Sequence, residues 1–393
     1  MPHGTSLLAT VASALGLAFV LGFAAHRVRL SPVVGYLLAG VIVGPFTPGY
    51  VANVPIAQEL AEIGVIMLMF GVGLHFSWAD LRTARRAIPG ALVQVAILTA
   101  LGASLAHAWG WPLGAGICFG LALSVSSTVL VLRTLGERGT PGTYDGRLAV
   151  AWLITQDIAM VLALVILPAL AAPTAIVASI ALTLAKVGAF GALMFVVGRR
   201  AVPWILGRAA SAGSRELFTL AVLGIALGIA AGAAALFDVS LALGAFAAGL
   251  VLEESHISRQ AAADALPLRD VFSVLFFVSV GMLFDPTILW RAPLAVAATL
   301  GVVVAGQTAA AFVILRVARE PRVSAMTLAA SFAQIGEFSF ILAALGVALR
   351  LLPAEGEGLV LASALLSVVV NPLLFAGFAR LSPAFAAARR PVP

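Results

Sequence analysis

The sequence predicts an all-α polytopic membrane protein with thirteen transmembrane helices, arranged as two inverted-topology repeats with crossed, broken helices. Three observations support this prediction. Of the 393 residues, 62% are hydrophobic and only 10% are charged, whereas soluble domains carry about 25% charged residues. Apolar stretches long enough to cross a bilayer recur along the whole chain. Short motifs of the first half recur in the second half at a nearly fixed offset.

The apolar stretches give the helices in order, because about 20 apolar residues span the hydrocarbon core of a bilayer. The predicted helices are 5–25, 33–46, 56–75, 87–109, 113–134, 147–171, 174–198, 215–237, 239–252, 271–284, 292–317, 323–349 and 357–379. Three of them are short for straight spans, and we expect them to bend or to extend into their flanks: 33–46, 239–252 and 271–284.

Basic residues are concentrated in alternate loops. Most of the 23 Lys and Arg residues follow odd-numbered helices, and loops rich in Lys and Arg stay in the cytoplasm. The sequence therefore predicts a multi-pass protein of the inner (plasma) membrane, with the N-terminus outside and the C-terminus in the cytoplasm. Since these residues are scattered in short loops, the net charge of +6 does not indicate nucleic acid as a partner.

Three motifs of the first half recur in order in the second. The pairs are GYLLAG (35–40) with GAFAAG (244–249), FGVGLHF (70–76) with VSVGMLF (278–284), and LSVSS (123–127) with ASFAQ (330–334). Helix 3 thus matches helix 10, an odd displacement, so the copies cross the membrane in opposite senses, as in many secondary transporters. The predicted divisions are a first repeat 1–173, a linker helix 174–199, a second repeat 200–380 and a cytoplasmic tail 381–393.

An acidic residue lies near the middle of helix 6, where Gln156 precedes Asp157. A carboxylate at that depth costs about 2.5–3.5 kcal/mol on insertion scales, and such residues are functional sites by default. We therefore expect Asp157 to bind or carry a charged species. The alternative is a structural Asp that pairs with a buried cation or hydroxyl.

The matched helices 5 and 12 both contain polar interruptions. Hydroxyl groups and glycine can free or re-satisfy backbone groups where a membrane helix unwinds, so we expect both helices to break and to cross near Asp157. The alternative is that the hydroxyls only bond between helices. The residues concerned are Ser126, Ser127 and Thr128 in helix 5, and Gln334, Gly336 and Glu337 in helix 12.

Six motifs occur in order between Leu30 and Pro372: LLAGVIVGP, LMFGVGLHF, LSVSSTVLVLR, the Gln-Asp pair, FFVSVGMLFDP and QIGEFSF. Together they resemble the monovalent cation:proton antiporter-2 family, and within it the Kef-type potassium efflux systems of the YbaL-like branch. The resemblance implies a homodimer in which each chain has a dimerisation domain and a moving core domain. It also implies exchange of potassium, or sodium, for protons across the lipid bilayer by alternating access, with no cofactor.

The same resemblance assigns roles to the candidate residues. Asp157 is implied as the site where a monovalent metal cation and a proton compete. Gln156 matches a position that is often Asp or Asn in sodium-type relatives, and Gln-Asp resembles the potassium-linked subgroup. The helix-5 and helix-12 residues named above match the two crossovers of the family.

Two departures from the family pattern stand out. Many relatives have a Lys on helix 11 that pairs with the acid, whereas the matching position here is Gln307. Kef-type proteins also usually continue into a cytoplasmic nucleotide-binding regulatory domain, whereas this chain stops at Pro393. We expect such a domain or an ancillary subunit to be missing here. The segment Glu253–Asp270 resembles the acidic gating loop of the family, with Asp264 and Asp270 as its acids, although an ordinary solvated loop fits equally well.

Other functions remain open at this point. A potassium channel-like efflux protein would give a flux that ignores the pH gradient. A sodium-coupled organic-anion carrier of related fold would need a roomier polar cavity, and a receptor or scaffold would have lost transport altogether. An enzyme is not expected, because the sequence contains no nucleophile–base constellation or phosphate-binding loop in a suitable context.

Overall fold

The computed structural model describes residues 3–28, 30–74, 87–136, 143–170, 176–253 and 258–381. These residues form helices and connecting turns without any strand, and a helix or a broken helix lies at each predicted position. With the numbers of the predicted segments, the helices are α1 (His3–Arg27), α2 (Pro32–Val43), α3 (Val54–Leu74), α4 (Ala87–Ala108), α5a (Leu113–Leu123), α5b (Thr128–Gly136), α6 (Tyr144–Leu170), α7 (Ile176–Leu193, a π-helical turn Met194–Gly198, and Arg199–Ser211), α8 (Arg215–Phe237), α9 (Leu241–Glu253), α10 (Ser258–Met282), α11 (Pro293–Gly301, a π-helical turn Val302–Gly306, and Gln307–Val317), α12a (Arg322–Phe332), α12b (Glu337–Ala348) and α13 (Ala354–Leu381).

Eight of the described helices are long and apolar enough to cross a membrane, and the pair α12a and α12b, bent by 43°, adds a ninth. The helices α2, α5a and α9 are apolar but shorter. The segments predicted at 33–46 and 239–252 do not extend into their flanks, since α2 and α9 contain only 12 and 13 residues. The fold class is therefore the predicted all-α polytopic one.

Two predicted loops are wrong in part. The helix predicted at 271–284 extends into its flank, as expected, and it begins at Ser258, so the proposed gating loop is helical from that residue onwards. Asp264 and Asp270 thus lie on α10, because the segment RQAAADAL is rich in good helix formers. The helix predicted at 174–198 continues to Ser211. Its π-helical turn precedes Pro203, and such local widening lets a membrane helix accommodate a proline.

The backbone contacts divide the chain into two compact units. The first comprises Met1–Arg27, Gly35–Trp78 and Leu164–Leu283, and the second comprises Val28–Val34, Ala79–Ala163 and Phe284–Pro393. Each unit takes helices from both predicted repeats: α1, most of α2, α3 and α7–α10 in the first, and α4, α5, most of α6 and α11–α13 in the second. The compact units therefore do not follow the predicted repeat boundaries, which remain a prediction about sequence relationship.

Glycines of the repeated motifs make the closest helix contacts of the first unit. A Cβ atom added to Gly40 on α2 would lie 2.0 Å from the carbonyl oxygen of Val278 on α10. At the matching positions of the other half, a Cβ atom added to Gly249 on α9 would lie 2.2 Å from the carbonyl oxygen of Phe70 on α3. The repeated glycines thus let α2 pack on α10 and α9 pack on α3, as small residues do in membrane helix packing.

Candidate functional site

The two broken helices of the second unit touch at their breaks. α5 is interrupted between Leu123 and Thr128, and α12 between Phe332 and Glu337. The backbone N–H of Gly336 donates to the carbonyl oxygen of Val125 at 3.1 Å. The Ser126 hydroxyl donates to the carbonyl oxygen of Phe332 at 2.8 Å. The prediction that helices 5 and 12 unwind and cross is therefore confirmed.

Neutral side-chain amides donate hydrogen bonds near the C-terminal ends of α5a and α12a, where carbonyl groups have no partner within the helix. The Gln307 side chain on α11 donates to the carbonyl oxygen of Leu123, the last residue of α5a, at 2.9 Å. Asn371 on α13 donates to Ala330 of α12a at 2.7 Å. Gln334 donates to the carbonyl oxygen of Ser331 at 2.9 Å. These carbonyl groups near the C-terminal ends of α5a and α12a thus accept hydrogen bonds from neutral side chains and not from a charged group.

An acid lies at the start of each second half-helix. The Thr128 hydroxyl, on the first residue of α5b, is 3.3 Å from Asp157 Oδ2 and donates to it. Glu337 is the first residue of α12b. Helix N-termini carry a partial positive charge that favours carboxylates. The Ser127 hydroxyl accepts from the Leu130 N–H at 3.4 Å, as an N-cap of α5b does.

The two acids belong to one electrostatic site. Glu337 acts electrostatically on Asp157, and both side chains are only half-buried, which leaves them within reach of an ion. Two neighbouring carboxylates at membrane depth favour the uptake of positive charge, because uncompensated charges there are costly. The site can therefore hold a proton or a cation against carboxylate and hydroxyl oxygens.

A fully buried network of amides lies behind this site. The Gln156 oxygen Oε1 accepts from the Ser126 N–H at 3.2 Å, and Gln156 Nε2 donates to Gln94 Oε1 at 3.1 Å. Gln94 Oε1 also accepts from the Trp152 indole N–H, and Gln94 Nε2 donates to the carbonyl oxygen of Gln307 at 3.4 Å. Gln94, Gln156 and Gln307 are each 0% exposed, so the network is sealed from lipid.

The structure brings most of the predicted site residues together. Ser126, Ser127, Thr128, Gln156, Asp157, Gln307, Gln334, Gly336 and Glu337 all belong to the second unit. The two acids of the proposed gating segment do not, because α10 belongs to the first unit. There the Asp270 carboxylate is paired with Arg269 at 2.8 Å. Sequence reasoning missed Gln94, and the only signal for it was a single amide inside the apolar run ALVQVAIL.

Gln307, which the resemblance matches to a Lys of the family, forms hydrogen bonds at the break of α5. Gln307 Nε2 makes the bond to Leu123, and Gln307 Oε1 lies 2.9 Å from the Ser126 hydroxyl, whose single proton it shares with the Phe332 carbonyl oxygen. Its amide therefore joins α11 to the non-helical part of α5. A buried carbonyl that loses such a partner costs about 1–3 kcal/mol.

We expect Gln307→Leu to lower the melting temperature of the purified protein, because it leaves the Leu123 carbonyl and the Ser126 hydroxyl with one partner fewer. The expected loss of stability is about 1–3 kcal/mol, read by thermal unfolding in detergent. The matched control is Thr308→Val on the same helix, which removes only a bond to Val304 within α11. Equal melting temperatures for the two variants would contradict this role of Gln307.

Broken helices that touch at their breaks are found in many secondary transporters. Residues 14–380 match the family model described as "Sodium/hydrogen exchanger, transmembrane". The chain therefore belongs to the sodium/hydrogen exchanger family, whose members are cation/proton antiporters. The recognition of this family from the motifs is confirmed.

Individual relatives support the assignment. The chain is 56% identical over 385 residues to the Escherichia coli (strain K12) protein named "Putative cation/proton antiporter YbaL", and the match covers 96% of this chain and 69% of that one. It is 36% identical to K(+) efflux antiporter 4 of Arabidopsis thaliana, over 87% of this chain and 59% of that one. The solved structure of the sodium proton antiporter MjNhaP1 from Methanocaldococcus jannaschii at pH 8 matches with a TM-score of 0.73 and 16% identity, over 96% of this chain and 98% of that one. That last likeness concerns the fold alone.

Proposed function

We propose that this chain exchanges a monovalent cation, in the first place potassium, for protons by alternating access, with Asp157 as the shared site. One observation carries the proposal: a half-buried carboxylate lies beside the Thr128 hydroxyl, at the start of a half-helix, where two broken helices cross. Half-helix ends that converge on one point at membrane depth are the form of ion site that inverted-repeat transporters use.

Competition for one carboxylate couples the two fluxes. An ionised acid out of water needs a positive partner, and either a proton or a potassium ion can supply it. Binding of one species releases the other. If the unit that contains Asp157 changes its access only when the acid is neutralised, cation flux in one direction drives proton flux in the other.

Glu337 adds a second acidic group to this exchange. Since its charge acts on Asp157, Glu337 favours the uptake of a positive species at that carboxylate. In this proposal Glu337 takes over part of the task that a Lys performs in many relatives, because Gln307 cannot change its charge. The Thr128 hydroxyl and the Gln156 carbonyl replace part of the water around the cation, as protein oxygens do in channel filters.

Potassium is favoured over sodium by the Gln156–Asp157 pair, which resembles the potassium-linked subgroup, and by the names of two relatives from Arabidopsis thaliana, K(+) efflux antiporters 4 and 6. The cation is a substrate in this proposal, and no cofactor is needed. We further propose that the chain works as a homodimer in the inner membrane, with its N-terminus outside and its C-terminus in the cytoplasm, where a regulatory partner could act.

Proteoliposomes that hold a pH-sensitive dye test this function. We expect added potassium to drive proton movement with a lower KM than added sodium. Because protons and potassium compete for one site, the apparent KM for potassium should rise as the pH falls, approaching about tenfold per pH unit. A potassium flux that ignores the pH gradient and rises linearly with voltage would instead indicate a channel.

A further inference from the structure

Gln94 occupies the centre of the amide network behind the candidate site. It lies in the middle of α4 with an exposed fraction of 0%. Its side chain bonds to residues of two other helices: Trp152 and Gln156 on α6, and Gln307 on α11. Every polar atom of the Gln94 amide is thus engaged with a residue distant in sequence.

The indole of Trp152 fixes which way these amides face. An indole N–H can only donate a hydrogen bond, so the atom of Gln94 that faces Trp152 must be the oxygen. That oxygen also faces Gln156, which must therefore present its NH₂ group to Gln94. The Gln156 oxygen is then directed to the Ser126 N–H, which is itself only a donor. The orientation of Gln156 is fixed from both sides.

Trp152 can fix the orientation of these amides because its own ring is firmly packed. Its ring stacks on Phe332, the last residue of α12a, with ring centroids 5.7 Å apart and an angle of 20°. On α4, a Cβ atom added to Gly90 would lie 2.6 Å from the ring. The ring is 2% exposed, so α4, α6 and α12a hold it in one place.

We propose that Gln94 is a positioning residue for cation exchange, which holds the Gln156 amide so that its oxygen and not its nitrogen faces the α5 break beside Asp157. The two ends of an amide have opposite polarity: the oxygen attracts a cation, whereas the NH₂ group repels it. Gln94 thereby sets the affinity of the site for the cation without touching the cation itself. This inference rests on the proposed function.

The test is the variant Gln94→Met, which keeps a long unbranched side chain but removes both polar ends. In proteoliposomes we expect the KM for potassium to rise about tenfold, the change expected for the loss of one well-placed polar contact, while Vmax stays within about threefold of the wild type. A role confined to folding would instead lower the amount of active protein, and so Vmax, with an unchanged KM.

Two further variants sharpen the test. Trp152→Phe keeps the stack on Phe332 but removes one donor to Gln94, so we expect a KM shift smaller than that of Gln94→Met. Gln94→Glu keeps an acceptor for the Trp152 indole N–H and for the Gln156 NH₂ group. Its KM for potassium, measured at the same pH, should therefore stay closer to that of the wild type than the KM of Gln94→Met does.

The outcomes separate this inference from the proposed function. A wild type without cation-dependent proton movement would overturn both. An active wild type together with an unchanged KM in Gln94→Met would overturn the inference alone. If Gln94→Met does not fold, Trp152→Phe decides, because an unchanged KM in that variant would show that the donor which orients the Gln94 amide does not affect the cation.

Discussion

Asp157→Asn is expected to abolish cation-dependent proton movement, with a residual rate at least about 100-fold below that of the wild type. An amide of the same shape cannot release a proton or neutralise a bound cation, whereas a titrating carboxylate can do both. The fold should survive, because the new side chain still offers an oxygen to the Thr128 hydroxyl, which donates to Asp157 at 3.3 Å. The measurement is dye-reported proton flux in proteoliposomes after a potassium pulse, at equal protein content.

Two controls accompany this variant. Asp157→Glu keeps the carboxylate but moves it by one methylene, so it should retain partial activity with a shifted pH profile. Thr128→Val removes the hydroxyl at the start of α5b and should weaken the exchange without abolishing it. Full exchange by Asp157→Asn would remove this residue from the mechanism and with it the proposed function.

Gly40→Val is expected to prevent the first unit from folding. A Cβ atom at this position would lie 2.0 Å from the carbonyl oxygen of Val278 and 2.8 Å from the Cα atom of Gly281. Both are backbone atoms, so no side-chain rotation relieves the overlap. Overpacking by side chains alone costs about 1–3 kcal/mol, and we expect a greater loss here. Size-exclusion chromatography and thermal unfolding in detergent measure it.

The matched control for this change is Gly16→Val on α1, where an added Cβ atom meets nothing within 4 Å. The same substitution should there leave the elution profile and the melting temperature nearly unchanged. Gly249→Val, the repeat-related position, should fail as Gly40→Val does, because its Cβ atom would lie 2.2 Å from the carbonyl oxygen of Phe70. A well-folded Gly40→Val protein would show that α2 does not pack on α10 at this distance.

The helices and their breaks could be predicted from the sequence because both leave a local signal. A spanning helix requires a long apolar run, and a break requires polar or small residues within it. The breaks at 124–127 and 333–336 were indicated further by their matching places in the two halves. The sequence indicated that the short segment 271–284 would bend or extend, but not where α10 begins, because the residues before 271 are polar and a search for apolar runs does not detect them.

The amide network could not be predicted, because its bonds join residues far apart in the chain. Gln94 is 62 positions from Gln156 and 213 from Gln307. In the sequence it is one polar residue in an apolar helix, with nothing to indicate its partners. For the same reason the sequence linked Gln307 to the function of a missing Lys, whereas in the structure its amide closes the end of α5a.

The glycine contacts of the first unit make the two predicted halves of the chain depend on each other. The second helix of each predicted half packs on the third helix of the other half, so neither half can bury these surfaces alone. A chain cut between the two halves would therefore have to bring both pieces together before either could complete its packing.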